Sequence, residues 1–281
     1  MLVHALIREN GTVAADELYT VANTLGMSDQ QVRLCVKRLV AEGRFTHEGR
    51  GRKAELHATT DTTRDLAPNA EFLRHAFQQD AGAAPWDGVW HLVAFAVPES
   101  ARTVRDTLRE TLVHLGGAPL QGGLYVCANA WEPYVEDAAH RLGAHGALTL
   151  LTTKDLRRGE TEAPAELARR LWPLQEIADR YHRLSRIAEP RLARLTGSAE
   201  LSSSALLTIA VELAAELSRA MAPDPLLPPQ LLPQPWPGTQ ARELVAQCWA
   251  ALYARDQGET RPALFRHYAD ITREAADRST H

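Results

Sequence analysis

Apolar residues recur at helical spacing twice near the start of the chain. Leu18, Val21, Ala22 and Leu25 form a first stripe over roughly Ala14–Leu25, and Val32, Cys35, Val36, Leu39 and Val40 form a second. The turn Leu25-Gly26-Met27-Ser28 joins them. Ser28 or Asp29 is suited to cap the second helix, because a side-chain oxygen there can accept a free first-turn N–H, and Gly43 ends it. Opposite the second stripe lie Gln30, Arg33 and Lys37, with Gln31 and Arg38 along the edge. Amides of this kind suit adenine, guanidinium groups suit guanine, and a lysine suits phosphate. Arg44–Thr60 then reads as two short strands around a Gly49-Arg50-Gly51-Arg52 tip, where Arg50, Arg52 and Lys53 could follow a phosphate backbone.

An amphipathic helix by itself is an ordinary surface helix. The conjunction of two helices, a tight turn and a basic hairpin predicts a winged helix-turn-helix over residues 1–67, opened by a helix at Leu2–Arg8. Its DNA-contacting residues are Ser28, Gln30, Gln31, Arg33, Lys37, Arg38, Arg50, Arg52 and Lys53.

Residues 68–85 are a connecting helix and linker, with Phe72, Leu73, Ala76 and Phe77 along one stripe. From 86 to 156 the rhythm changes. Val89–Val97 alternates like a strand, Ala101–Leu115 is an amphipathic helix, strands follow at Ala118–Leu120 and Gly123–Ala128, then a helix at Trp131–Leu142 and a strand at Ala147–Thr152. The order β-α-β-β-α-β is that of a ferredoxin-like domain, which leaves one sheet face open for dimerisation or an effector. Residues 157–281 read as a helical domain: Ala165–Glu189, Pro190–Thr196, Leu201–Met221, Gln240–Gln257 and Ala263–Asp277. Within it, Ala222–Gly238 carries seven prolines, yet Leu226, Leu227, Leu231, Leu232 and Trp236 call for burial. That segment is an ordered strap rather than a loose linker. The fold class is α+β multidomain.

The 281 residues suffice for two or three domains, and 45% hydrophobic with 23% charged content is that of a globular protein. A net charge of −4 argues against a protein that coats nucleic acid, while a site-specific binder needs only the local basic stretch Arg44–Lys53. Cys35, Cys127 and Cys248 lack metal-ligand spacing and a disulfide framework, which places them as buried thiols in a reducing compartment. With no long apolar run and no signal peptide, the expected location is cytoplasmic. No catalytic constellation, metal site or cofactor motif is found. His140 and His145 lack a third ligand, Ser202-Ser203-Ser204 has no nucleophile-elbow setting, and the strand before Pro98 carries no terminal aspartate for a nuclease metal.

Three sets of motifs run along the chain: Ser28–Leu39 with Gly49–Lys53; Trp86-Asp87-Gly88-Val89-Trp90, Val97–Ser100 and Gly122–Val126; and Leu171–Tyr181 with Asp224–Gly238. Together they resemble the phenylacetate-degradation repressor family, the PaaX-type regulators. The resemblance implies a bacterial, homodimeric transcriptional repressor on double-stranded operator DNA, released by an aryl-acyl-coenzyme A of the phenylacetyl type. Such an effector needs an apolar slot and cations for phosphates. Trp86, Trp90, Arg105, Arg109, Tyr125, Trp172 and Tyr181 are the candidates for it. Two other readings are a protein-interaction adaptor built on a winged helix and a metal-dependent nuclease built on the middle domain.

Overall fold

The computed structural model describes residues 3, 6–8, 10–49, 51–59, 67–161, 163–255 and 268, with backbone alone for 67–70. Arg50, the expected helix Ala263–Asp277 (Tyr268 excepted) and much of Leu2–Arg8 lie outside these residues. Among the described residues the chain is a mixed α+β protein of nine α-helices and two antiparallel sheets. Its contacts group into two units. The first gathers Met1–Ala81, His182–Ser218 and Thr239–His281; the second gathers Gly82–Tyr181 and Arg219–Gly238. The sequence divides the chain into consecutive segments, whereas the contacts gather separated segments into each unit.

The first unit begins with β1 (Thr12–Ala14), α1 (Ala15–Thr24) and α2 (Asp29–Ala41), then β2 (Phe45–Glu48) and β3 (Glu55–Ala58). The strands make one sheet in the order β1-β3-β2, with Val13 opposite Leu56 and Phe45 opposite Ala58. Leu18, Val21, Val32, Phe45 and Leu56 are all buried beneath it. Gly26, at φ +82°, makes the turn between the two helices in a conformation that glycine adopts without strain. A helix α3 (Ala67–Asp80) follows, with Leu73, Ala76 and Phe77 buried.

The second unit contains β4 (Trp90–Phe95), α4 (Arg102–His114), β5 (Ala118–Gln121), β6 (Leu124–Cys127), α5 (Glu132–Arg141) and β7 (Leu148–Thr153). The sheet order is β5-β6-β4-β7, with each neighbouring pair antiparallel. Val93, Tyr125 and Cys127 pack with Leu108 and Leu112 of α4, Val135 of α5 and Trp131 immediately before α5. A Cβ on Gly117 would overlap the Trp131 ring, so only glycine fits there. The opposite face, which the sequence leaves open, is buried at Trp90, Leu92 and Val126 and exposed at Leu151 of β7. Trp172 stacks on Trp90 at 6.3 Å and donates its Nε1–H to the Gly116 carbonyl at 3.0 Å.

The helical part differs from expectation at two prolines. The expected helix Ala165–Glu189 is two helices, α6 (Pro164–Leu171) and α7 (Leu174–Thr196). Trp172 before Pro173 is extended, at φ −117° and ψ 145°, because the proline ring disfavours helical backbone in the residue ahead of it. Pro190, expected to start a new helix, lies inside α7. Ala188 and Leu195 on either side are buried, and such packing outweighs the lost backbone bond. α8 (Ser203–Met221) and α9 (Pro237–Arg255) complete the described helices. The ordered strap is found: Leu226, Leu227, Leu231 and Trp236 are buried. Asn129 Nδ2 donates to the Leu226 carbonyl at 2.9 Å. Among the described residues, no helix is long and apolar enough to cross a membrane.

Burial also sets the cysteine chemistry. It pushes the Cys127 thiol from its ordinary 9.0 up to about 12 and that of Cys248 up to about 11, while Cys35 is half-buried. At pH 8 the native protein should expose one rapidly reacting thiol to an aromatic disulfide reagent, Cys35, and the other two only on unfolding. Both buried thiols ionise more easily in the unfolded chain. Their contribution to stability is therefore full below about pH 9 and declines as pH rises towards 11–12, which a pH series of urea midpoints measures.

Candidate nucleic-acid interface

The N-terminus of α2 is fixed by its own sequence. Ser28, extended at φ −79° and ψ 154°, caps it: its hydroxyl accepts from the Gln31 N–H, and its own N–H donates to Gln31 Oε1 at 2.8 Å. This capping box satisfies two first-turn donors. It also commits Ser28 and one end of Gln31 to holding the helix. Asp29 adds two links. Its carboxylate accepts from Asn23 Nδ2 at 3.0 Å, tying α2 to the end of α1, and pairs with the Arg52 guanidinium at 3.4 Å. The Asn23 hydrogen bond, and after it Arg52 and the charge of Arg33, hold this carboxyl below its usual range. Arg52 lies 5.5 Å from the centre of the Tyr19 ring. It therefore braces the hairpin tip against both helices as well as adding positive charge beside them.

The outer face of α2 is what this bracing presents. Gln30, Arg33 and Lys37 are exposed, and none of their side chains forms a hydrogen bond or ion pair with another described residue. Arg38 at the edge pairs loosely with Glu42 at 3.7 Å. Lys53 is exposed in the short 3₁₀ turn Gly51–Lys53. Arg50 lies outside the described residues. The structure thus brings Gln30, Arg33 and Lys37 onto one strip and gives Ser28, Gln31 and Arg52 a part in orienting it. One residue on the strip escapes the sequence reading. Leu34 is 61% exposed and follows Gln30 by four positions and precedes Lys37 by three. Counting 3.6 residues per turn from the buried Val32 and Leu39 places it on the solvent side.

The effector candidates fall into separate groups in the second unit. Trp86 donates its Nε1–H to the Val89 carbonyl at 3.1 Å and meets Trp90 edge-on at 5.2 Å, while Trp90 stacks with Trp172. Tyr125 is in the core against Phe95. Tyr181 is fully buried and donates its hydroxyl to Asp224 at 2.5 Å. Arg105 pairs with Glu99 at 2.6 Å, which pushes its guanidinium further up, and both Arg105 and Arg109 approach Asp106. A cavity of about 510 Å³ lies in the first unit, lined by Thr24 together with α7 and α8 residues including Arg191, Arg194, Ile209 and Glu212. None of the seven candidates lines it.

Residues 83–168 match the family described as the PaaX protein central Cas2-like domain, and residues 172–258 match the PaaX-like protein C-terminal domain. The chain is also similar to the transcriptional repressor PaaX of Escherichia coli strain K12. The two are 25% identical over 266 residues, which cover 91% of this chain and 81% of the relative. Among solved structures, an uncharacterized protein from Mycobacterium tuberculosis aligns with a TM-score of 0.49 at 22% identity, covering 95% of this chain and 92% of the other.

Proposed function

Because this chain belongs to the PaaX-type family, we propose that it is a transcriptional regulator that binds double-stranded operator DNA sequence-specifically. It is a homodimeric repressor of the cytoplasm, released by a small effector, and not an enzyme. Residues 1–67 act as a winged helix-turn-helix: α2 enters the major groove and the β2–β3 hairpin rests on the sugar–phosphate backbone. Two such heads read two half-sites. The ferredoxin-like arrangement of β4–β7 and the helical segments hold the dimer and the effector. The observation that carries the reading is the strip Gln30–Arg33–Lys37, unpaired and exposed on a helix anchored at its N-terminus from three sides.

An effector releases DNA only if it binds one arrangement of the heads better than the other. The family resemblance makes an aryl-acyl-coenzyme A the first to test, with Trp86, Trp90, Arg105, Arg109, Tyr125, Trp172 and Tyr181 as the residues to vary. The test is anisotropy of a dye-labelled duplex from the gene's own upstream region, with and without phenylacetyl-coenzyme A. Tight, salt-sensitive binding that collapses with the thioester supports both halves of the proposal. Binding indifferent to the thioester removes that effector, and no duplex binding at any salt concentration removes the regulator that works through DNA.

Two substitutions separate reading from holding. Arg33→Ala is expected to cost about 1–3 kcal/mol of operator affinity and to relax preference at one base pair. Lys53→Ala should weaken all duplexes alike and lower the slope of log affinity against log salt by about one for each head, and so by about two for the dimer. Titrations on operator and scrambled duplex at several salt concentrations check both.

A further inference from the structure

Leu34 is the most exposed of the large apolar side chains described in this protein, ahead of Val113, Tyr134 and Leu151. Single exposed leucines are common and need no explanation. The position of this one is what gives it meaning. Gln30, Leu34, Lys37 and Ala41 follow one another at intervals of four, three and four residues, so they form a line down α2. Val32 and Leu39, the buried side of the same helix, project the opposite way. Leu34 therefore stands at the middle of the polar strip, flanked by an amide, a guanidinium and an ammonium, and it is the sixth residue of the helix, within its first two turns.

Resting on the DNA-binding reading above, we propose that Leu34 is a specificity-determining residue that packs against the 5-methyl group of a thymine in the major groove. The chemistry of the groove favours this partner. The thymine methyl is the one apolar group that a base edge displays there, and apolar side chains are what recognise it. Gln30, one turn nearer the N-terminus, has the amide suited to adenine N6 and N7. The pair of side chains thus selects A·T steps by two different contacts, one polar and one apolar. The contact buries a leucine surface that otherwise meets water, which gives it a favourable energy without adding charge.

The experiment uses the full-length protein and the shortest upstream duplex that it protects from nuclease. Each thymine is replaced in turn by deoxyuridine, which removes the methyl group and leaves every hydrogen-bonding group in place. The parent protein should bind about three- to fivefold more weakly for each such thymine replaced, about one buried methyl group apiece, and so about 10- to 25-fold more weakly when both half-sites are changed. Leu34→Ala should bind the thymine duplex more weakly by a similar factor, show an unchanged salt slope, and no longer distinguish deoxyuridine from thymine at that position. Its folding should change little, since 61% of Leu34 is exposed.

A parent indifferent to every replacement overturns the assignment. So does a Leu34→Ala variant that keeps the parent's discrimination, because another side chain then reads the methyl. If Leu34→Ala changes the oligomeric mass and not the discrimination, the residue belongs to a protein interface and the assignment is again wrong. In all three cases specific DNA binding itself persists. Its complete absence, in parent and variant alike, is the separate outcome that defeats the DNA-binding reading and takes this inference with it.

Discussion

Asp80→Ala is expected to destabilise the first unit by about 3–5 kcal/mol, the usual consequence of removing one partner from a buried ion pair. The Asp80 carboxylate accepts from Arg242 Nε at 2.5 Å and Nη2 at 2.8 Å, and from the Thr239 hydroxyl at 2.7 Å. Only 13% of the aspartate side chain and 4% of the arginine side chain are exposed. Solvent therefore screens this pair far less than the surface pairs elsewhere, and the arginine charge is costly to leave without its carboxylate. With a urea dependence of about 2–3 kcal/mol per molar, the midpoint should fall by about 1–2 M in far-ultraviolet circular dichroism. A charge-free double variant, Asp80→Leu with Arg242→Met, should recover most of the loss, because neither charge then has to be desolvated. A single variant that loses less than 1 kcal/mol would mean that α3 and α9 are not held by this pair in solution.

Asp224→Ala is the second large effect, expected at about 2–4 kcal/mol in the second unit. Its buried carboxylate accepts from the Tyr181 hydroxyl and from the Leu226 N–H at 2.8 Å. Each of those buried donors loses an acceptor in the variant, at about 1–3 kcal/mol apiece before relaxation. Leu226 makes the change more telling. Its φ of 49° is a conformation that costs a leucine about 1–2 kcal/mol, and the bond to Asp224 helps to hold it there. Without that bond, Leu226 should relax and the strap loosen. Calorimetry should show a lower melting temperature, and limited proteolysis should cut first within Ala222–Gly238. Asp224→Asn, which keeps one acceptor oxygen, should sit between parent and alanine. Proteolysis of Asp224→Ala at the parent's rate would rule out this role.

The head of the chain was the most legible part of the sequence because its signals are local. Ser28 followed by Gln31 is a capping signature, and a stripe repeating every three or four residues fixes which side of α2 is buried, so α1 and α2 fall within a residue or two of expectation. The order of elements from β4 to β7 was legible for the same reason. What escaped depends on distant contacts. Pro173 and Pro190 look alike in sequence, and only the buried neighbours of Pro190 explain why one ends a helix and the other does not. Arg52 reads from sequence as a phosphate ligand alone, and its pairing with Asp29, which braces the hairpin tip, shows only in the structure. The tryptophans at 86, 90 and 172 invite an aromatic pocket, and that they also meet one another, at 5.2 and 6.3 Å, is visible only in the structure. Leu34 was within reach, since helical arithmetic alone puts it beside Gln30 and Lys37.

The grouping of segments has an optical consequence. Five of the six tryptophans, at 86, 90, 131, 172 and 236, belong to the second unit, and Trp249 alone to the first. Native ultraviolet emission is therefore dominated by the second unit. With Trp86, Trp90 and Trp172 at 5.2 and 6.3 Å spacing, absorbed energy also migrates among those rings before it is emitted. Residues 1–59, the part that would touch DNA, contain no tryptophan at all. A change in emission when a duplex is added would therefore come from rings outside the proposed reading head, and would record, without any label, how far the news of binding travels.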